Sequence, residues 1–171
     1  MRTSRVTVIP YDIKWKSNFE DIARELRLAL GSLALAVEHV GSTAVEGMSA
    51  KPCIDVDVVI SDSSVLGEVI SKLAVIGYIH EGDLGIVGRE AFRYESKPHL
   101  AAHHLYVCEQ SSPELYRHVT FRDFLRANPA AAHEYSTVKE EGAKLYPSDI
   151  DKYIAHKSEV IKKLYVLCGL E

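Results

Sequence analysis

The stretch His39-Val40-Gly41-Ser42-Thr43-Ala44-Val45-Glu46-Gly47-Met48-Ser49-Ala50-Lys51-Pro52-Cys53-Ile54-Asp55-Val56-Asp57-Val58-Val59-Ile60 decides the fold. Its last seven residues alternate, with Ile54, Val56 and Val58 on one face of a strand and Asp55 and Asp57 on the other. Aspartates are poor strand formers and neighbouring carboxylates repel, so the pair calls for something positive. Mg²⁺ is the natural compensator, because it takes one or two carboxylates and keeps its other positions for water and phosphate oxygens. The plainer alternative is a solvated strand face. Upstream, residues 35–40 read as a strand that runs into Gly41-Ser42-Thr43, whose amides and hydroxyls suit phosphate oxygens at the start of a short helix. An ordinary turn is the alternative there, and the phosphate loop Gly-x-x-x-x-Gly-Lys-[Ser/Thr] is absent. A strand, Gly-Ser, twelve residues and then Asp-x-Asp inside a second strand is far more specific than either half.

Working outward, residues 5–9 alternate weakly, with Val6 and Val8 on one side, and are expected to form an edge strand ended by Pro10. Over residues 13–30, Trp15, Phe19, Ile22, Leu26 and Leu30 recur at helical steps, and Gly31 closes the helix. Trp15 reads as a packing anchor. A second helix over 65–73 follows the cap-rich Ser61-Asp62-Ser63-Ser64, with Gly77 beyond it. Gly82, Gly85 and Gly88 mark turns, and residues 89–95 and 103–109 read as two further strands. Three helices finish the chain. Ser112-Pro113-Glu114 opens one to about Ala127, Asn128-Pro129 caps and opens another, and Ser148 with Asp151 resembles a capping box for the last, over 149–168. The expected fold class is α/β (α+β), a mixed sheet with a C-terminal helical lobe, in a single domain over 1–171.

The 171 residues are 47% hydrophobic and 26% charged, enough for a real core without disulfides or a structural metal. Twenty basic against 24 acidic residues give a formal charge of −4, a poor balance for non-specific nucleic-acid or acidic-membrane binding. Cys53, Cys108 and Cys168 form no Cys-x-x-Cys pair, which fits a reduced, cytoplasmic setting. No apolar run has the length of a signal peptide core or a membrane span. Zinc is disfavoured, since His99, His103 and His104 stand outside any metalloprotease helix and no cysteine has zinc-ligand spacing. A hydrolase elbow Gly-x-Ser-x-Gly is also missing.

The chain resembles the GrpB family within the polymerase-β-type nucleotidyltransferase superfamily. The resemblance is carried by Pro10-Tyr11-Asp12 with Trp15, His39 through Val45, Ala50-Lys51-Pro52 and Ile54-Asp55-Val56-Asp57. It continues through Gly88-Arg89, His104-Leu105-Tyr106-Val107, Phe121 through Arg126, Tyr135, Lys139, and Tyr153 with Lys157. It implies that Gly41 and Ser42, with Thr43 beside them, bind phosphates and that Asp55 and Asp57 hold Mg²⁺. Members of the superfamily usually carry a third carboxylate on a neighbouring strand, and the matching run here is His103-His104-Leu105-Tyr106-Val107-Cys108-Glu109. Alternation sets His104 beside Tyr106, so His104 is the candidate for a metal ligand, a general base or a simple partner of Asp57, with Glu95 or Glu109 as other sources of charge.

The bound phosphates would need cations. Lys51, Arg89 and Arg93 lie in or beside the site strands, while Arg117, Arg122, Lys139 and Lys157 lie on the C-terminal helices that the resemblance folds over the sheet. Each alone is more simply a surface cation. His39 is expected to fix the Gly-Ser turn through a backbone bond. The implied activity is nucleotidyl transfer from a nucleoside triphosphate to a small-molecule acceptor. The rival is a catalytically silent protein binding a nucleotide or phosphorylated metabolite on the same scaffold, since function belongs to the site and not to the fold.

Overall fold

A computed structural model describes residues 5–171. One five-stranded sheet contains β1 (Ala36–Val40), β2 (Ile54–Ile60), β3 (Ile79–Gly82), β4 (Glu90–Arg93) and β5 (His103–Glu109), in the order β1-β2-β5-β4-β3. Strands β2 and β5 are parallel and the other neighbours antiparallel, so the sheet is mixed, as expected. Register sets Asp55 opposite His104 and Asp57 opposite Tyr106. Because side chains alternate, these four share one face, and Ile54, Val56, Val58, Leu105 and Val107 share the other.

The apolar face is covered by α1 (Lys14–Leu30) and α2 (Leu66–Val75). Trp15, Phe19, Ile22, Leu26 and Leu30 of α1 pack on the inward residues of β2 and β5, each stabilising the fold by roughly 1.5–3 kcal/mol relative to exposure. Gly31 ends α1 at φ +55° and donates its N–H to the Arg27 carbonyl. The Asp62 carboxylate caps the 3₁₀ turn leading into α2, accepting from the Ser64 N–H at 2.8 Å.

A second core lies on the other side. Val45 and Met48, from the β1–β2 connection, pack with Leu125 of α3 (Pro113–Ala127), Ala132 and Tyr135 of α4 (Pro129–Leu145), and Val160 and Leu164 of α5 (Ile150–Leu167). The connection therefore belongs to the sheet at its ends and to the helical lobe in its middle, which places Gly41-Ser42 at the junction.

Helix α3 meets the sheet through a polar stripe at four-residue spacing, Glu114-His118-Arg122-Arg126. His118 Nδ1 lies 2.6 Å from Asp57 Oδ2, and Arg122 donates to Glu38 at 2.6 Å and to the His39 carbonyl at 3.1 Å. Arg126 donates to the Ala44 carbonyl at 2.9 Å.

Four local readings are corrected. Residues 5–9 form no strand: Ile9 makes one isolated bridge with Ala50, while Val6 donates to the Pro147 carbonyl and so leaves the sheet. The glycines near 82 hid β3, which pairs Ile79 with Arg93 and His80 with Phe92 before its register shifts at Gly82. Asp149, not Ser148, caps α5 by accepting from Lys152 N–H. Asn128 does not cap α4, because its amide donates backward to the Phe124 carbonyl.

Candidate functional site

A cavity of about 410 Å³ opens between the polar face of the sheet and the three C-terminal helices. Its sheet side begins at Gly41, whose φ of +74° takes the chain sharply out of β1. A side chain there would overlap Asp55 Oδ2 as well as strain the backbone, so glycine serves both the turn and the close approach of the carboxylate. Residues Ser42–Ala44 follow as a 3₁₀ turn. His39 braces it through its side chain and not its backbone: Nε2 lies 2.9 Å from Thr43 Oγ1, and the ring stacks on Phe19 at 4.6 Å. Burial pushes the His39 pKa down to about 4, so the ring is neutral near pH 7.

The helical side brings two lysines. Lys139 is only 3% exposed, donates to Ser42 Oγ at 2.8 Å and sits over the Tyr135 ring at 4.3 Å. Lys157 sits over the Tyr153 ring at 5.0 Å. Both line the cavity, and neither has an ion pair among the described residues. Burial, and then the charge of Lys157, pull the Lys139 pKa down to about 7, and burial lowers that of Lys157 as well. Asp55 is the single acid on the cavity wall, against Lys51, Arg117, Arg122, Lys139 and Lys157.

The aspartates are both engaged by imidazoles. Asp55 Oδ1 lies 2.9 Å from His104 Nδ1; this bond, reinforced by Cys53, outweighs burial and raises the His104 pKa to about 10. Asp57 has no exposed side-chain surface and bonds His118 through Oδ2, while its Oδ1 has no hydrogen-bond partner among the described residues. Burial raises the Asp57 pKa against the pull of His118. For His118, burial opposes the charged ring but the Asp57 carboxylate outweighs it, and the pKa rises.

Of the residues singled out in the sequence, Gly41, Ser42, Thr43, Lys51, Asp55, His104, Arg117, Arg122, Lys139 and Lys157 line this one cavity. Three placements differ from expectation. Arg93 turns to the outer strand, 3.6 Å from Glu81 and 3.9 Å from Glu95, because it pairs with Ile79 across β3–β4. Arg89 lies outside the lining, over the Tyr106 ring at 4.2 Å. Arg122 reaches the cavity, but its protons go to Glu38, the His39 carbonyl and Asp123. Neither Glu95 nor Glu109 lines the cavity, and His104 bonds Asp55 rather than Asp57, as the parallel register dictates.

The sequence reading missed His118 and gave no role to the aromatic wall of Phe121, Tyr135, Tyr153 and Tyr165. The available signal for His118 was its four-residue spacing from Glu114 and Arg122.

The donor set does not fit a Mg²⁺ shell. Mg²⁺ demands near-octahedral oxygen ligands, yet each aspartate is bonded to a histidine, and His118, on the cavity wall, stands between the cavity and Asp57. Among the described residues no three His, Cys, Asp or Glu side chains are grouped to hold a metal. The unpartnered Asp57 Oδ1 is buried, so a cation would reach Asp57 only past His118, whereas Asp55, on the wall, is held by His104 through Oδ1 alone.

Comparison with known proteins agrees with this architecture. The chain is 35% identical over 158 residues to UPF0157 protein YqkA of Bacillus subtilis, covering 92% of this chain but 46% of YqkA, so it spans less than half of that relative. The crystal structure of conserved protein GrpB from Enterococcus faecalis superposes with a TM-score of 0.77 at 34% identity, over 93% of this chain and 99% of that one. Cid1, whose structure is described for its RNA terminal uridylyl transferase activity, shares the fold at a TM-score of 0.54 and 15% identity, over 80% of this chain and 43% of that one. No helix among the described residues is long and apolar enough to cross a membrane. Residues 5–166 match the family described as GrpB protein, and the chain therefore belongs to the GrpB family, on a nucleotidyltransferase-like fold.

Proposed function

We propose that the chain binds a nucleoside triphosphate in this cleft, with the phosphates between Ser42 and the two lysines and the base against the tyrosine wall. The observation that carries this reading is the pair Lys139 and Lys157: two desolvated ammonium groups facing a cavity in which neither makes an ion pair among the described residues and the acid on the wall, Asp55, is bonded to His104. A buried charge without a partner is costly, and a polyanion supplies what the protein withholds. Lys51 and Arg117 add charge at the same wall. Phe121, Tyr153 and Tyr165 line the cavity, with Lys157 over the Tyr153 ring and Arg117 over that of Tyr165, and a base stacks on aromatic rings without sequence preference. A cavity of this size suits a small ligand, and the chain's overall charge disfavours a nucleic acid.

The second reading is transfer of the nucleotidyl group to a small-molecule acceptor, with Mg²⁺ on Asp55 and Asp57. It is favoured by the meeting of Gly41-Ser42 with the acidic strand face at one cleft. It also requires the buried Asp57 to be opened past His118, so binding is the better supported role.

Thermal-shift titrations with ATP, GTP, CTP, UTP and inorganic triphosphate, run beside a pyrophosphate-release assay, test both. The expected result is a concentration-dependent rise in Tm with a nucleoside triphosphate, weaker with inorganic triphosphate, and no pyrophosphate release. Release that depends on Asp55 and Asp57 would establish the second reading, and no shift with any of the five would remove the first.

A further inference from the structure

Asp57 is the more deeply placed acid of the pair, and its surroundings belong to the helix above it. Its side chain has no exposed surface, and Oδ2 meets His118 Nδ1 at 2.6 Å. His118 Nε2 lies 3.6 Å from Glu114, one turn earlier on α3. One turn later Arg122 donates to Glu38 and the His39 carbonyl on β1, and Arg126 donates to the Ala44 carbonyl. Together these bonds seat a helix whose sheet-facing stripe is polar, where an apolar stripe would ordinarily serve. Asp57 thus stands at the sheet end of a row of contacts that holds the roof of the cavity in place. On β5 the position opposite Asp57 is Tyr106, and on β1 it is Glu38, whose carboxylate already accepts from Arg122.

We infer that Asp57 anchors α3 through His118 and is not a cation ligand, so that the cleft takes its phosphorylated ligand without a divalent metal. The part about the ligand rests on the binding role proposed above; the anchor stands without it. Phosphate charge is then met by side chains that already line the cavity, namely Lys51, Arg117, Lys139 and Lys157. Charge-assisted hydrogen bonds from such groups are strong enough to replace a bridging ion for binding, though they do not replace its part in activating an attacking hydroxyl. A cleft of this kind binds its ligand without turning it over.

Three measurements test it. Paramagnetic resonance of Mn²⁺ titrated with the full chain, without nucleotide, reports cation binding directly. Calorimetric titration with ATP, once in EDTA and once in excess Mg²⁺, reports whether the ligand needs a metal. Thermal denaturation of Asp57→Asn, His118→Asn and the double variant reports the anchor, and hydrogen exchange of the α3 amides in folded protein serves if a variant is too unstable to melt cleanly. The expected results are an unchanged Mn²⁺ signal, ATP affinities within about threefold of each other, and single-variant losses in Tm whose sum exceeds the loss in the double variant, with faster exchange confined to α3. Mn²⁺ bound by the wild type and released in Asp57→Asn, or ATP bound in Mg²⁺ alone, would overturn the inference. ATP bound in neither buffer would remove the nucleotide reading, and the Mn²⁺ and denaturation results would then decide the anchor by themselves.

Discussion

Lys139 shows most clearly what a single residue contributes to this site. Its ammonium is buried and beside Lys157, and its pKa falls to about 7 from 10.5. Below pH 7 folded and unfolded chains both carry the proton, and the fold bears the full cost of the buried charge. Between pH 7 and about 10.5 the unfolded state binds more protons, so this group's contribution makes stability rise with pH. Lys139→Met is therefore expected to be more stable than wild type by about 1–3 kcal/mol at pH 6.5, with the gain shrinking toward pH 10, as denaturant melts at both pH values would show. His104 acts in the opposite sense: its pKa is raised to about 10, so its contribution is complete below pH 6.5 and is lost as pH climbs to 10. Comparing His104→Asn with wild type across that window should show a difference that vanishes at the alkaline end. At Gly41 the positive φ and the closeness of Asp55 predict that Gly41→Ala costs about 1–3 kcal/mol, read as a drop in urea midpoint. At this scale the sequence put Gly41, Ser42, Asp55 and His104 side by side, as they stand on the cavity wall, because strand alternation and the Gly-Ser turn are local rules. It could not reveal that Arg122 is already occupied, since Glu38 and the His39 carbonyl lie about eighty residues away in the chain.

Among the elements, α1 and β2 were legible and α3 was only half so. A helix with Trp15, Phe19, Ile22, Leu26 and Leu30 at three- and four-residue steps has one face to bury, and β2 supplies the alternating partner. Helix α3 announces its ends, with Ser112 accepting from the Leu115 N–H and Pro113 in the first turn, yet not its docking face, because that face is Glu114, His118, Arg122 and Arg126. Removing Arg122 leaves Glu38 without its close partner at the sheet, so Arg122→Ala is expected to cost about 2–4 kcal/mol, and Arg122→Lys to recover part of it. Hydrogen exchange should show the opening concentrated in α3 and β1. By contrast Leu26→Ala, in the apolar core, should cost about 2–5 kcal/mol through loss of burial and a residual cavity, with no preference for α3. Strand β3 escaped notice because it is four residues long and ends at a glycine, which weakens any alternation signal.

Over the whole molecule, the formal charge of −4 conceals a cationic cleft whose wall carries five lysine and arginine side chains and, among the described residues, one aspartate. The mixed sheet and helical lobe could be anticipated from the order of elements. The groove between them followed from the family resemblance, but the tie that shapes it did not show, because it depends on Val45 and Met48 joining the β1–β2 connection to α3, α4 and α5. Partly buried charges are screened less than exposed ones, so ATP affinity should fall only modestly between low and high salt, whereas generic DNA, which needs an exposed basic surface, should not bind at physiological salt. A ligand that binds only the folded chain also stabilises it, by about 2.7 kcal/mol at a hundredfold excess over Kd. The most direct test of the central claim is one calorimetric titration of ATP into wild type and into Lys139→Met/Lys157→Met at pH 6.5. The account predicts a single site in the wild type and loss of at least about tenfold in affinity in the double variant, with the variant folded and no less stable. Equal affinity in the two proteins, or no binding to the wild type, would contradict it.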